Sequence, residues 1–298
     1  MAGGRQPPAV ATRGISVIPA QARAWRATPQ SFRRKPESRG TSGATRAGGV
    51  TRSIMLGVQA CALHPWRVSY AEALAIQRRW RAEVRIEPLR RAPQLVAGAD
   101  VAYSRATHRM YASVVVVALP ALEVVAEAHA VRRARFPYIP GLFSFREVPP
   151  LIAACARLTT TPDVLLFDGQ GLAHPRRFGL ACHAGLLFDR PSIGCAKSLL
   201  VGRHATLGEA RGSVAELVHE REVVGVALRT RVGVKPVYVS VGQRVDVASA
   251  VALVLACTRG CRLPEPLRLA HQHTTILMRR LDPRARRVAH PTYPDFRK

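Results

Sequence analysis

The sequence predicts a single α/β domain built on a mixed sheet, and three observations lead to this prediction. Three β-like segments, residues 94–104, 111–119 and 122–132, follow one another with short connections, which indicates an antiparallel meander. Short apolar runs then alternate with helical patterns, which is typical of sheets that also contain parallel strands. No Pro-, Gly- or Ser-rich linker divides residues 60–280, so we expect this range to fold as one domain.

The helices are predicted from capping residues and apolar spacing. Ser69 and Asp246 are favoured N-cap residues, and each stands directly before such a pattern. The segment "VPPLIAACARL" also has a helical pattern, and its two prolines are expected in the first turn, where their missing N–H groups cost nothing. The predicted helices are "SYAEALAIQRRWRAEV", "VPPLIAACARL", "FGLACHAGLLFD" and "DVASAVALVLACT".

Four further strands are predicted after the meander. The run "DVLLFD", residues 163–168, is continuously apolar between its two acids, as expected of a buried central strand. The other segments are "SIGCA", "REVVGVALRT" and "KPVYVSVG". Together with the helices they give a mixed sheet flanked by helices.

The charge of the chain points to a polyanionic partner. Lys and Arg number 45 against 19 Asp and Glu, which gives a net charge of +26. Nucleic acid is the partner that such a field favours, and a basic proteome or a basic tail is the alternative explanation. The apolar runs are too short to span a bilayer and the six cysteines form no CxxC pair, so we expect a cytoplasmic protein without a membrane partner.

The two ends of the chain are predicted to lie outside the domain. Residues 1–55 are a basic extension without periodicity, which predicts disorder. This extension is a nucleic-acid-binding arm, a solvated tail, or a stretch upstream of a true start near Met55, and its composition favours the last. Residues 281–298 are predicted to be a basic C-terminal tail.

Three acids are candidate ligands of a hard cation. Asp100 interrupts an apolar strand, where a carboxylate is costly unless it is paired or binds a cation. Asp168 ends the "VLLFD" strand, and Glu147 stands just before "VPPLI". If the first and fourth strands are neighbours, the carboxylates meet at one place and favour Mg²⁺. The alternative is that both acids are structural: Asp168 would cap a turn and Asp100 would pair with a nearby arginine.

The loop after Asp168 is rich in residues that suit a phosphate. Gly169 and Gly171 would let the backbone approach a ligand, and Arg176 and Arg177 are natural phosphate contacts. His174 would contact phosphate or move protons, although a histidine beside a turn is more often structural. Lys197, which follows the strand "SIGCA", could reach the same place. The alternative is that Lys197 is a solvated surface lysine.

The segment "FPYIPG" predicts a rigid turn with an aromatic residue near its tip. Pro137 and Pro140 stiffen the chain on either side of Tyr138 and Ile139. The turn either packs Tyr138 against the domain or presents it as a wedge or stacking platform for nucleic acid. Chemistry alone favours the packed alternative.

Six motifs in order resemble the endonuclease V family, the deoxyinosine 3′ endonucleases of DNA repair. The motifs cover roughly residues 64–275; one of them alone would be modest evidence, whereas six in order are strong evidence. They are "VAGADVAY", "PYIPGLFSFRE", "DGQGLAHPRRFGLACHAGLL", "IGCAKS", "PVYVSVGQRVDVASA" and "CRLPEPLRLAH". The resemblance implies a ribonuclease H-like fold, which agrees with the predicted mixed sheet.

The resemblance also implies roles for individual residues. Asp100, Glu147 and Asp168 match the family's metal ligands for Mg²⁺ or Mn²⁺, and Tyr138 matches a tyrosine of the strand-separating wedge. The remaining matches to active-site positions are His174, Lys197 and His271. The implied activity cuts the second phosphodiester bond 3′ to a deaminated base, held flipped in a pocket, and leaves 3′-hydroxyl and 5′-phosphate ends.

Some departures and alternatives remain beside this resemblance. Gln243 stands where histidine is expected in relatives, which affects local packing more than catalysis. The expected partner is DNA with deoxyinosine or another deaminated base, bound by a monomer; inosine-containing RNA is a second substrate class. A non-catalytic binding module on the same fold predicts a missing acid, whereas all three acids are present.

Overall fold

Eight strands form one mixed sheet in the computed structural model, which describes residues 57–283. In chain order the strands are β1 (Leu95–Ser104), β2 (Arg109–Ala118), β3 (Glu123–Arg133), β4 (Val164–Phe167), β5 (Ser192–Ala196), β6 (Val214–His219), β7 (Glu222–Leu228) and β8 (Val237–Gln243). Their order across the sheet is β3-β2-β1-β4-β5-β8-β7-β6. Because β4 is parallel to β1 and β5 while the other pairs are antiparallel, the predicted mixed sheet is confirmed.

Helices cover both faces of the sheet. Within residues 57–283 they are α1 (Tyr70–Arg81), α2 (Ser144–Cys155), α3 (Leu180–Phe188), α4 (Val247–Ala256) and α5 (Glu265–Leu281). α2 and α3 share a core cluster with Ala97 and Ala99 of β1, whereas α4 and α5 share another with Val96. Successive residues of a strand point to opposite faces, so α2 and α3 form one layer and α4 and α5 the other.

The predicted meander is present and explains where the first acid lies. β1 pairs along its whole length with β2, and Asp100 lies opposite Ser113. On its other edge β1 runs parallel to β4, with Ala99 opposite Phe167. The residues that follow this last pair are Asp100 and Asp168, so the two carboxylates come from neighbouring strands at the same level of the sheet.

The predicted position of the prolines in α2 is wrong by one turn. The helix begins at Ser144, so Pro149 and Pro150 lie inside it rather than in its first turn. The N–H groups of Arg146 and Glu147 already donate to the carbonyl of Phe143, at 3.1 and 3.2 Å, and this winds the first turn before the prolines. Glu147 therefore belongs to the first turn of α2.

One strand and one helix are absent from the predicted order of elements. β6 lies at the sheet edge and buries only Ala215 and Leu217, a pattern too short to distinguish from a loop. α5 is the longest described helix, with 17 residues. Its signal was present, because a proline pair opens the segment and the buried residues that follow have helical spacing: Leu267, Ala270, Thr274 and Met278.

The domain reaches slightly beyond its predicted end. Asp282 is buried and accepts hydrogen bonds from the hydroxyl groups of Ser104, at 2.6 Å, and Thr107, at 2.8 Å. The predicted extension (1–55) and nearly all of the predicted tail (281–298) lie outside the described residues. Gln243 is buried, and its side-chain oxygen accepts the N–H of Arg85 at 2.8 Å, so it fixes the chain between α1 and β1.

The cysteines and the helices of the described residues show neither disulfides nor membrane-spanning segments. All six cysteines are free thiols. Burial raises the pKa of the Cys155 and Cys182 thiols to about 12, so neither is a thiolate near neutral pH. Across residues 57–283, no helix has the length and apolar character needed to cross a membrane.

Candidate active site

Three predicted residues meet at the end of the central strands. Asp100 lies on β1, Asp168 directly follows β4, and His271 lies on α5. One ligand atom from each residue lies within 4.8 Å of the others. Two carboxylates and an imidazole at this separation form a candidate site for a divalent cation, and we call them the triplet.

α5 completes the surroundings of Asp100. The Asp100 side chain is only 2% exposed, and the hydroxyl of Thr274 donates a hydrogen bond to its Oδ2. His271 Nδ1 lies 3.6 Å from Asp100 Oδ1. The close packing of α5 on β1 depends on Gly98, because a Cβ there would lie 2.3 Å from the carbonyl oxygen of Pro266. Sequence reasoning missed Thr274, since it did not recognise α5.

Asp168 is held by a lysine from the next parallel strand. Lys197 follows β5, and its Nζ forms an ion pair with Asp168 Oδ2. The backbone of Lys197 is fixed in turn by Arg262, whose Nη2 donates to the carbonyls of Lys197, at 2.5 Å, and Pro236, at 2.6 Å. Arg262 was not among the predicted site residues, although it lies within the sixth motif. The ammonium of Lys197 therefore lies beside one carboxylate of the triplet.

Glu147 is not one of the three residues of the triplet. It is 4% exposed and belongs to α2, in the helical layer opposite α5. Burial raises the pKa of the Tyr138 phenol, and the negative charge of the Glu147 carboxylate raises this pKa further. Direct metal ligation by Glu147 stays a prediction.

The "FPYIPG" segment presents Tyr138 at the surface of a well-anchored turn. Phe136 and Leu142 are buried on either side, and the Leu142 N–H donates to the carbonyl of Ile139 at 2.9 Å. Ile139 is half-buried against a core cluster, whereas Tyr138 is 38% exposed. The Tyr138 ring meets Phe143 edge-on, with centroids 6.2 Å apart. The prolines at both ends, Pro137 and Pro140, are exposed.

Three side chains fix this turn through one carbonyl. The oxygen of Gly141 accepts hydrogen bonds from Gln77 Nε2 and His174 Nε2, both at 2.9 Å, and from Arg176 Nη2 at 2.6 Å. Gly141 has φ +76°, and a Cβ there would lie 2.6 Å from Arg176 Nη2, so glycine is required. His174 and Arg176 thus brace the Tyr138 turn, which was not predicted.

The Arg177 side chain is bonded within the protein, whereas the sequence predicts a phosphate contact for it. Its side chain is 6% exposed and bonds to the turn between β6 and β7. Its Nε lies 2.8 Å from Glu222, and its Nη2 lies 3.0 Å from the carbonyl of His219 and 3.1 Å from Glu220. These bonds satisfy the guanidinium internally, so Arg177 joins the Asp168 loop to the edge of the sheet.

The two glycines of the loop pack closely against the sheet and a helix. A Cβ on Gly171 would lie 1.9 Å from the carbonyl oxygen of Val241 on β8. One on Gly169 would lie 3.2 Å from the side chain of Leu180 on α3. The close approach that these glycines make in the structure is to β8 and α3, and an approach to a ligand stays a prediction.

Buried neutral histidines support the turn and α2. His174 has both ring nitrogens occupied, since Nδ1 accepts the N–H of Arg176 at 3.2 Å; burial, aided by the charge of Arg176, lowers its pKa to about 3. His183 is fully buried, with Nε2 2.6 Å from His64 Nε2 and Nδ1 2.9 Å from Ser144 Oγ. Burial lowers the pKa of both members of this pair.

We expect these histidines to make the domain acid-sensitive. The unfolded state binds a proton on each histidine near pH 6.5, whereas folded His174 does so only near pH 3, so stability is lost as pH falls between these values. His174→Gln keeps a donor for Gly141 and should reduce the slope of unfolding free energy between pH 5.5 and 4.5 by about 1 kcal/mol per pH unit. Urea unfolding at several pH values measures this slope. An unchanged slope in His174→Gln, or an equal reduction in His204→Gln, would contradict the assignment.

Comparisons with known proteins agree with this geometry. The family model for endonuclease V matches residues 78–272. An endonuclease V of Myxococcus xanthus is 51% identical over 218 residues, which are 72% of this chain and 92% of the relative. The crystal structure of endonuclease V from Streptomyces avermitilis has a TM-score of 0.70 at 42% identity and covers 76% of this chain and 99% of that one. Endonuclease V of Ciona intestinalis, crystallised with a 23mer DNA containing an inosine followed by a ribo-adenosine, has a TM-score of 0.61 at 25% identity, covering 72% and 100%.

The sheet and the acids at its centre define a nuclease of the ribonuclease H-like class. Within that class the chain belongs to the endonuclease V family, which the matched model and the relatives establish. It is therefore an endonuclease of a metal-dependent family, and it carries a candidate acidic metal-binding group. The fold and family predicted from the motifs are confirmed.

Proposed function

We propose that this protein repairs DNA by cutting the second phosphodiester bond 3′ to a deoxyinosine, by metal-dependent hydrolysis. The observation that carries the proposal is the triplet of Asp100, Asp168 and His271, whose ligand atoms lie within 4.8 Å of one another. The DNA bound by the Ciona intestinalis relative contains an inosine, which supports the substrate class. The net charge of +26 suits a nucleic-acid partner.

The donor chemistry of the triplet fits a hard divalent cation. Two carboxylates dominate the set, and such oxygen ligands suit Mg²⁺, with Mn²⁺ as a substitute. When bound, the cation supplies charge neutralisation at the phosphate and makes water a stronger nucleophile. Asp100 and Asp168 would hold it with His271, and Glu147 is proposed to complete the set.

The other residues have roles that follow from their contacts. Lys197 balances the charge of Asp168 in the free protein and is placed to neutralise charge on the scissile phosphate. Thr274 orients the Asp100 carboxylate through its hydrogen bond. Tyr138, on its braced turn, is proposed to separate the strands at the lesion and stack on a base.

A nicking assay tests the proposal. A duplex with one deoxyinosine should be cut once, at the second bond on the 3′ side, in Mg²⁺ and not in EDTA. The same duplex with adenine instead is the control and should stay intact. Cleavage that persists in EDTA, cutting of both duplexes at equal rates, or cuts elsewhere would overturn the proposal.

Inosine-containing RNA is a second candidate substrate. The DNA bound by the Ciona intestinalis relative carries a ribonucleotide directly after the inosine, which favours tolerance of ribose near the cut. Competition between deoxyinosine and riboinosine strands, present at equal concentration in one reaction, separates the two candidates. Preferential loss of the riboinosine strand would assign an endoribonuclease.

We further propose that the protein acts in the cytoplasm as a monomer. The six free thiols support a reducing compartment. Sedimentation of the full chain with and without DNA tests the oligomeric state.

A further inference from the structure

A second cluster of metal-ligating side chains lies outside the triplet. Glu127 and His129 are alternate residues of β3 and so share one face of that edge strand, and His273 reaches them from α5. One ligand atom from each lies within 4.8 Å of the others. His273 Nδ1 is 2.9 Å from Glu127 Oε2, and His129 Nε2 is 3.8 Å from Oε1 of the same carboxylate.

His129 is oriented for ligation by a buried partner. Its Nδ1 lies 2.9 Å from the hydroxyl oxygen of Ser113, which is fully buried on β2. Donation of Nδ1–H to this oxygen leaves the lone pair of Nε2 directed toward Glu127, which is the arrangement that fixes histidine ligands in metal sites. Arg157 also holds the backbone carbonyl of His129, at 2.6 Å. His129 is therefore held at both its ring and its backbone.

The exposure of the cluster suits an ion that arrives from solvent. The side chains of Glu127, His129 and His273 are 48%, 34% and 27% exposed. Each ligand is thus accessible, and a tetrahedral ion held by these three residues would have one further position for water. Two imidazoles and one carboxylate favour Zn²⁺ and similar transition metals over Mg²⁺, which prefers oxygen ligands.

We propose that Glu127, His129 and His273 form a binding site for Zn²⁺ or a related transition-metal ion, distinct from the triplet. The register places His129, Ser113 and Asp100 side by side on three adjacent strands, so this site lies two strands from Asp100, roughly 10 Å away. The ion joins edge strand β3 to α5, the helix that carries His271 and Thr274.

Calorimetric titration with ZnCl₂ tests this site in the full chain. The Asp168→Asn variant is the background, because it removes one carboxylate of the other group that could take the ion. We expect one Zn²⁺ per chain from the proposed site. Adding His273→Ala or His129→Ala should weaken that binding at least about tenfold, whereas adding His204→Ala should leave it unchanged. Thermal unfolding should show a higher Tm with Zn²⁺ only where His129 and His273 are both present.

The side chains of His129 and His273 are only partly buried, so circular dichroism should report an intact fold in their alanine variants. Equal Zn²⁺ affinity with and without His129 and His273 would overturn the proposal, and so would the absence of saturable Zn²⁺ binding in the Asp168→Asn background. In otherwise wild-type protein, His129→Ala should retain Mg²⁺-supported nicking, so loss of the zinc site is distinguishable from failure of the proposed function.

Discussion

Replacing Asp168 by asparagine is expected to lower the rate of nicking at deoxyinosine by roughly 10³-fold or more. Asparagine keeps the size of the side chain but removes one of the two carboxylates of the triplet, and with it the charge that holds a divalent cation. Folding should survive, because the partner Lys197 is 35% exposed and its ammonium can be solvated. Single-turnover cleavage of a deoxyinosine duplex at saturating Mg²⁺ measures the effect.

A matched control separates loss of chemistry from loss of structure. Asp246→Asn changes the N-cap of α4, where the aspartate accepts the N–H of Ser249 at 2.7 Å and asparagine caps equally well. This variant should nick at the wild-type rate. Asp168→Asn should still bind the deoxyinosine duplex in EDTA, as measured by fluorescence anisotropy. An Asp168→Asn protein that cuts within tenfold of wild type would remove Asp168 from the chemistry.

The fold was predictable wherever local pattern and burial agree. β1, β2 and β4 are apolar on both faces because helices cover the sheet on both sides, so their continuous runs could be recognised. β6 was missed because an edge strand buries only alternate residues and needs few of them. The start of α2 was misplaced because the turn at Leu142, rather than the prolines, begins the helix.

The acidic residues of the site could be predicted from their position in apolar strands. Contacts between residues that are distant in sequence could not be predicted. Asp100 is conspicuous because a carboxylate within an apolar strand needs a compensating group, and Asp168 because it ends such a strand. Nothing near Arg177 shows that Glu222, 45 residues later, will pair with it, so it was assigned to phosphate. Gln77 likewise binds Gly141 from 64 residues away, and such contacts appear only in the folded chain.

The turn at Tyr138 provides the second large expected effect. Tyr138→Ala should weaken binding of a deoxyinosine duplex by roughly tenfold to a hundredfold, because stacking of one base on an aromatic ring contributes about 1–3 kcal/mol. Three hydrogen bonds to the carbonyl of Gly141 hold the turn from behind, so the exposed ring can be removed without loosening its support. Affinity is measured by anisotropy in EDTA at fixed salt, since phosphate contacts depend on ionic strength.

Tyr138→Phe is the matched control, because it keeps the ring and removes only the hydroxyl. If stacking carries the effect, Tyr138→Phe should bind the lesion within about threefold of wild type. The affinity of Tyr138→Ala for undamaged duplex should be unchanged, because basic residues and phosphates dominate that binding. Equal weakening on damaged and undamaged DNA would assign Tyr138 to general binding. Equal losses in the Phe and Ala variants would assign the effect to the Tyr138 hydroxyl rather than to its ring.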